Sequence, residues 1–345
     1  MTDVVHLHIG EPKTGTTYLQ AMLVQHQQQL AADGLLHPGG RIDQVRGAQE
    51  MLDRRDEGRG RLTGRWRALA EEIAAFDGPA AVISMESLVR ARPQQAERTV
   101  TALGVPSVRV VVTLRDLVRV IPAQWQESLQ FGHTWTFAEY LDAITSKRPR
   151  KSKSGRNFWE QHDTTRILGV WSDVVGTDNV TVVTLPRTSS DPLALWRRFA
   201  TALDIDAGRY DAVRTANESL GAASAELMRR INLRLGDDSI PRQAYGRVLR
   251  DGLSKSILAN RRESEARVVL PDQVRPWANR RSEQIVGSIV ALGVTVVGDL
   301  GDLRSEPVAS NATSTPAPVL ADEAAVSAAA VDAIIALAGG HKLTR

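Results

Sequence analysis

The chain of 345 residues has no cysteine. That absence excludes disulfides, thiolate metal sites and a cysteine nucleophile. Nor does any stretch approach the ~18 consecutive apolar residues that a membrane-spanning helix requires; the nearest, "AAVSAAAVDAIIALA", is interrupted by Asp332. The opening "MTDVVHLHIG" lacks the basic and apolar regions of a secretion signal, so a cytoplasmic protein is expected. A large excess of one charge is also missing. Lys and Arg number 43 against 40 Asp and Glu, a formal net charge of +3 that suits a small anionic ligand and falls far short of a nucleic-acid-coating surface.

What is present is an ordinary globular composition, 42% hydrophobic and 24% charged, long enough to bury a sizeable core. Four runs rich in β-branched residues stand at Val4 to Ile9, Ala80 to Met85, Val108 to Leu114 and Val180 to Leu185, with a fifth at Val294 to Val297. Each of the four precedes turn-forming residues and then a helical pattern, the signature of a parallel sheet with crossover helices in an α/β fold. Helices are expected from Thr16 or Thr17 onward, and around 65–76, 93–104, 117–131, 158–175, 193–204, 219–235 and 273–292. Pro122 starts or kinks the helix that holds it.

The stretch "KRPRKSKSGR", residues 147–156, carries six basic residues in ten and is expected to be an exposed, mobile loop. Residues 301–320 read as a Ser/Thr/Pro-rich linker, followed by a helical tail over 321–345 with an alanine-rich helix from Glu323 to Leu337. The main domain is then 1–300.

The most informative stretch is "HIGEPKTGTTYLQ", which follows the first predicted strand. Gly10 and Gly15 have the spacing of a nucleotide-binding P-loop and Thr17 takes its final hydroxyl position, yet Thr16 stands where that motif has lysine. The nearby lysine is Lys13, three residues early. A strand that ends in such a loop and opens a helix offers backbone N–H groups and a positive helix end to one anion. Gly15 lets the backbone approach closely, and the hydroxyls of Thr14, Thr16 and Thr17 are further donors. A lysine in the loop, rather than on the helix, meets the phosphate from another side, toward a bridging oxygen or a transferred group.

These residues resemble the sulfotransferases that use 3′-phosphoadenosine 5′-phosphosulfate (PAPS), especially their bacterial branch, whose first strand and loop read "HIG-x-PKTGTT-x-LQ". "VRVVVTLRDLVRVIPAQWQESLQFG" is similar to the family's second landmark, a strand followed by an arginine and a helix, and weaker similarity extends over residues 4 to 300. The resemblance implies a P-loop-type three-layer α/β/α fold around a central parallel sheet. It implies that Lys13, Thr14, Gly15, Thr16 and Thr17 bind the 5′-phosphosulfate and that Arg115 binds the 3′-phosphate. Many members hold that phosphate also through a serine eight residues after the arginine. Here Ala123 stands there, so the second anchor must come from elsewhere, with Gln124, Arg119 or a basic residue of the later chain as candidates.

In sulfuryl transfer the protein mainly positions groups and neutralises charge, by analogy with phosphoryl transfer. Lys13 is the expected stabiliser of the bridging oxygen, and no metal is required. For a base to take the acceptor's proton, Glu86 stands just past a predicted strand, at the edge where parallel α/β folds assemble their sites; a glutamate often serves as base in the bacterial and carbohydrate branches. His133 and His162 are lesser candidates, whereas His6 and His8 are expected to pack or hydrogen-bond within the first strand. Trp125, Trp159 and Trp171 are expected in the core.

The expected partner is a small-molecule, glycan or lipid acceptor bearing a hydroxyl or, second, an amine. Two other functions stay open from the residues alone. One is a P-loop kinase or nucleotide triphosphatase with a displaced lysine, for which Asp116 would hold Mg²⁺; the other is a nucleotide-binding protein without catalysis.

Overall fold

The computed structural model describes residues 2–53, 55–56, 60–61, 63–187, 189–213, 219–236, 240–305 and 322–338. Two compact units emerge. The first comprises Met1–Asp116, Trp159–Thr215 and Arg280–Ser305; the second comprises Leu117–Phe158, Ala216–Asn279 and Glu306–Arg345.

The first unit is built on a six-stranded sheet: β1 (Val4–His8), β2 (Leu35–Leu36), β3 (Ala80–Ser84), β4 (Ser107–Leu114), β5 (Val180–Thr184) and β6 (Thr295–Val297), in the order β2-β3-β1-β4-β5-β6. All five pairings are parallel. Side chains alternate between the two faces of a strand. On one face Val82, Val111 and Val183 meet Leu19, Met22 and Leu23 of the Thr16–Gln25 helix and Trp196 and Phe199 of the Ala194–Ala202 helix. The alternate positions Leu7, Ile83 and Val112 are fully buried on the other face, and the Thr164–Val175 helix packs against β4 and β5. Helices on both faces of a parallel sheet make the three-layer α/β/α architecture expected from the sequence.

The order also fixes where ligands bind in such folds. From β1 the chain runs toward β2 and β3 on one side, and from β4 toward β5 and β6 on the other. The carboxyl ends of β1 and β4 therefore flank the switch point of the sheet, the usual place for a site in an open α/β fold.

The five strands read from β-branched runs all form, within a residue or two. Two expectations are corrected. The helix expected over 158–175 is two helices, Lys153–His162 and Thr164–Val175, because Asp163 caps the second by accepting from Arg166 N at 3.4 Å. The basic stretch 147–156 is not one loop: Pro149–Lys151 forms a single 3₁₀ turn and the Lys153–His162 helix has begun before the stretch ends. Ser152 Oγ accepts from Gly155 N there at 3.1 Å, so a serine cap offsets the charge density that suggested an unstructured loop.

The second unit is helical. It contains Leu117–Gln130, with Pro122 inside it as anticipated, and Ala222–Leu235. The alanine-rich Glu323–Ala338 helix packs against Ala222–Leu235, burying Val326, Ala329 and Ala333. Most of the expected linker, residues 306–320, lies outside the described residues. Trp125, Trp159 and Trp171 are all buried in the core, Trp159 with the Arg281 guanidinium 4.6 Å from its ring.

Candidate active site

The loop between β1 and the Thr16–Gln25 helix is tied at its start to β4: Ile9 N donates to Val111 O at 2.9 Å and Glu11 N to Thr113 O at 3.1 Å. Its backbone then passes through two left-handed residues, Lys13 at φ 66° and Gly15 at φ 86°. Glycine suits the second, since that φ strains any residue with a Cβ, which would also stand 2.4 Å from Leu195 Cδ2. Lysine at the first is uncommon, and an L-residue in that region costs about 1 kcal/mol. Gly15 precedes the first helical residue and no side chain caps the N–H groups that follow it. Those groups have no carbonyl partner within the helix and carry its positive end.

Arg115, directly after β4, donates from Nη1 to the carbonyl of Lys13 at 3.2 Å. The two motifs that carry the sequence resemblance, 102 residues apart, thus meet at the switch point of the sheet. Asp116, beside Arg115, is buried.

The loop's threonines take different places. Thr14 Oγ1 is fully buried, donating to Glu11 O at 2.5 Å and lying 2.7 Å from Thr113 Oγ1. What Thr14 presents to a ligand is therefore its backbone. Thr16 is buried and Thr17 exposed on the first turn of the helix. Glu86 follows β3 and opens the Glu86–Arg90 3₁₀ turn, partly exposed, with its Oε2 accepting from Gln20 Nε2 at 2.7 Å. Gln20 Nε2 also reaches Ser84 O at 3.1 Å. The first unit thus brings together Lys13 to Thr17, Arg115 and Glu86, while Ala123, Gln124, Arg119 and His133 belong to the second unit.

The histidines divide clearly. His162 is fully buried, with Nδ1 3.2 Å from Glu11 Oε2. Such a position holds the loop and leaves no exposed surface on which to meet an acceptor. His6 and His8 pack within β1 as expected. Burial pushes the His8 imidazole down to about 3, which makes it neutral. His133 is partly exposed and stacks on Trp135, ring centres 4.1 Å apart.

Two residues of the loop motif were not singled out from the sequence. Glu11 looks like a surface carboxylate, yet it is 2% exposed and accepts from Thr164 Oγ1 at 2.6 Å. Its anchoring groups lie about 150 positions away in the chain, so no local pattern shows them. Gln20 was visible only as the last letter of the motif; its signal was a polar side chain on the otherwise apolar Leu19, Met22, Leu23 face of the helix.

Among the described residues, no group of three or more His, Asp or Glu side chains is placed to hold a metal ion, and no helix is long and apolar enough to cross a membrane. No protein-family model and no curated protein sequence matches the chain. Two solved structures are similar to it in part. A sulfotransferase from Alicyclobacillus acidocaldarius is 18% identical, over 61% of this chain and 85% of that one, with a TM-score of 0.41. The sulfotransferase domain from the curacin biosynthetic pathway is 11% identical, over 60% and 75% of the respective chains, with a TM-score of 0.35.

Proposed function

We propose that the protein moves a sulfuryl group from PAPS to a hydroxyl, or less readily an amine, of a small-molecule, glycan or lipid acceptor. The observation that carries this reading is the corner where the Lys13 carbonyl accepts from Arg115. It joins the loop suited to a phosphosulfate with the arginine that the sequence resemblance gives to the 3′-phosphate.

The residues fit such a donor. A close-approach glycine, uncapped helix N–H groups and a lysine held in an uncommon backbone conformation form a cradle for one compact anion. PAPS supplies the sulfuryl group and a nucleotide bisphosphate leaving group. Lys13 balances the charge that develops on the bridging oxygen, and Arg115 that of the 3′-phosphate. Glu86 takes the proton of the acceptor hydroxyl, with Gln20 orienting its carboxylate.

Binding discriminates this reading from a nucleotide triphosphatase. Adenosine 3′,5′-bisphosphate should raise the melting temperature without Mg²⁺ and ATP should do so only weakly, because at equal concentration the ligand that binds the folded state more tightly stabilises it more. Equal stabilisation by both, or a strict need for Mg²⁺, would overturn it. Transfer of ³⁵S from labelled PAPS to a panel of acceptors then tests the chemistry.

A further inference from the structure

Beneath the loop, three neighbouring strands each contribute one polar side chain to the same face of the sheet: His8 from β1, Ser84 from β3 and Thr113 from β4. The register places Ser84 directly opposite His8 on one side and Val111, two residues before Thr113, opposite it on the other. His8 Nδ1 lies 2.7 Å from Ser84 Oγ and Nε2 lies 3.2 Å from Thr113 Oγ1. Thr113 Oγ1 is in turn 2.7 Å from Thr14 Oγ1, which donates to the Glu11 carbonyl at 2.5 Å. All four side chains are at most 1% exposed.

Counting protons sets the direction of every bond. The Glu11 carbonyl can only accept, so the single hydroxyl proton of Thr14 is committed to it. The Thr14–Thr113 bond must then use the proton of Thr113. Thr113 has none left for His8, so Nε2 carries a proton and donates. A neutral imidazole has its other nitrogen as acceptor, and the Ser84 hydroxyl donates to Nδ1. The opposite tautomer would leave two buried oxygens facing each other at 2.7 Å with no proton between them.

Gly10 belongs to the same device. A Cβ at that position would stand 1.8 Å from Thr113 Oγ1 and 2.6 Å from His8 Nε2, so the chain is possible only with glycine there.

We propose that His8 is a positioning residue of the loop. Locked as the Nε2–H tautomer in a one-way chain from Ser84 through Thr113 and Thr14 to the Glu11 carbonyl, it sets the backbone path on which Lys13 turns left-handed. The consequence for donor binding rests on the function proposed above, whereas the tautomer and the loop geometry do not.

The test is long-range ¹H–¹⁵N NMR of the imidazoles in the full chain at pH 7, with the amide shifts of Lys13 and Gly15 and the affinity for adenosine 3′,5′-bisphosphate read on the same samples. The wild-type protein should show His8 as a single neutral Nε2–H tautomer. Thr113→Val, which keeps the shape and removes the acceptor, should move His8 toward Nδ1–H, displace both amide signals and weaken the nucleotide about 10-fold. Thr113→Ser should keep all three readouts near wild type. A wild-type Nδ1–H tautomer or a charged His8 overturns the proposal even if the valine variant fails to fold, and unchanged amide shifts in a folded Thr113→Val overturn it whatever the affinity. Absence of nucleotide binding by the wild type, with tautomer and amide shifts behaving as described, removes the donor reading and leaves the positioning role standing.

Discussion

Gln20 Nε2 donates to Glu86 Oε2 at 2.7 Å, so the helix that grows out of the loop also holds the carboxylate after the neighbouring strand. One helix turn thus connects the Lys13 loop to the carboxylate proposed to take the acceptor's proton. A hydrogen bond to a charged group is worth ~1.5–3 kcal/mol. Gln20→Leu is therefore expected to lower kcat at least about 10-fold with the KM for PAPS within twofold of wild type. Steady-state kinetics decides; a rise in KM with unchanged kcat would mean that Gln20 serves the donor instead.

Lys13 separates stability from activity. Both Lys13→Ala and Lys13→Gly remove the ammonium and are expected to abolish transfer. Only glycine relieves the left-handed backbone at φ 66°, so the glycine variant should be about 1 kcal/mol more stable than the alanine variant. Urea unfolding of the two side by side measures the difference, and equal midpoints would contradict a strained lysine.

Gly10→Ala puts a methyl group into the space of Thr113 Oγ1 and His8 Nε2. Overpacking of this kind costs ~1–3 kcal/mol, and here it also parts a buried hydrogen-bond chain. The expected result is a clear fall in melting temperature together with loss of nucleotide binding. Gly169→Ala meets nothing within 4 Å and, like Gly10, has no positive φ, so it serves as the control for an added methyl group without a clash.

Acid should destabilise the protein before its carboxylates titrate. Burial lowers His8 to about 3 and His37 to about 4; burial, with Arg109 adding to it and Asp204 opposing, lowers His6 to about 4. Each has a folded value below its unfolded value of 6.5, so the unfolded chain binds more protons as pH falls. Stability is then full above about pH 6.5 and declines toward pH 4, by up to ~1.4 kcal/mol per pH unit for each histidine. Chemical denaturation at pH 7, 6 and 5 reads the slope. A flat profile would show that these imidazoles are not buried neutral.

The positions of five strands along the chain and the place of the loop were legible because β-branched runs and a glycine-bearing turn are local signals. Leu35–Leu36 was not, being a two-residue strand that exists only through its pairing with Ala80 and Ala81. The break at Asp163 was readable in principle, since an aspartate three residues before Arg166 is an ordinary cap, but the apolar pattern on both sides masked it. The residues of the candidate site were legible as a motif, and their supports were not. Ser84 and Thr113 lie 76 and 105 residues from His8, and only the register of the sheet brings them to it. Glu11 was hidden for the same reason, because its partners stand on helices far along the chain.

The Glu323–Ala338 helix bears on how the protein should be handled. Read as sequence it is an appendage beyond a linker, and a recombinant version ending near residue 305 would look like a sensible minimal domain. Yet Ala329 is fully buried, Glu323 binds Arg230 through both carboxylate oxygens and Asp332 pairs with Arg261. Trimming it would uncover apolar surface of the Ala222–Leu235 helix and take one acidic partner from each of Arg230 and Arg261, leaving them Glu226 and Glu265. Insolubility of such a shortened version would then report the missing lid of a helical unit and say nothing about catalysis.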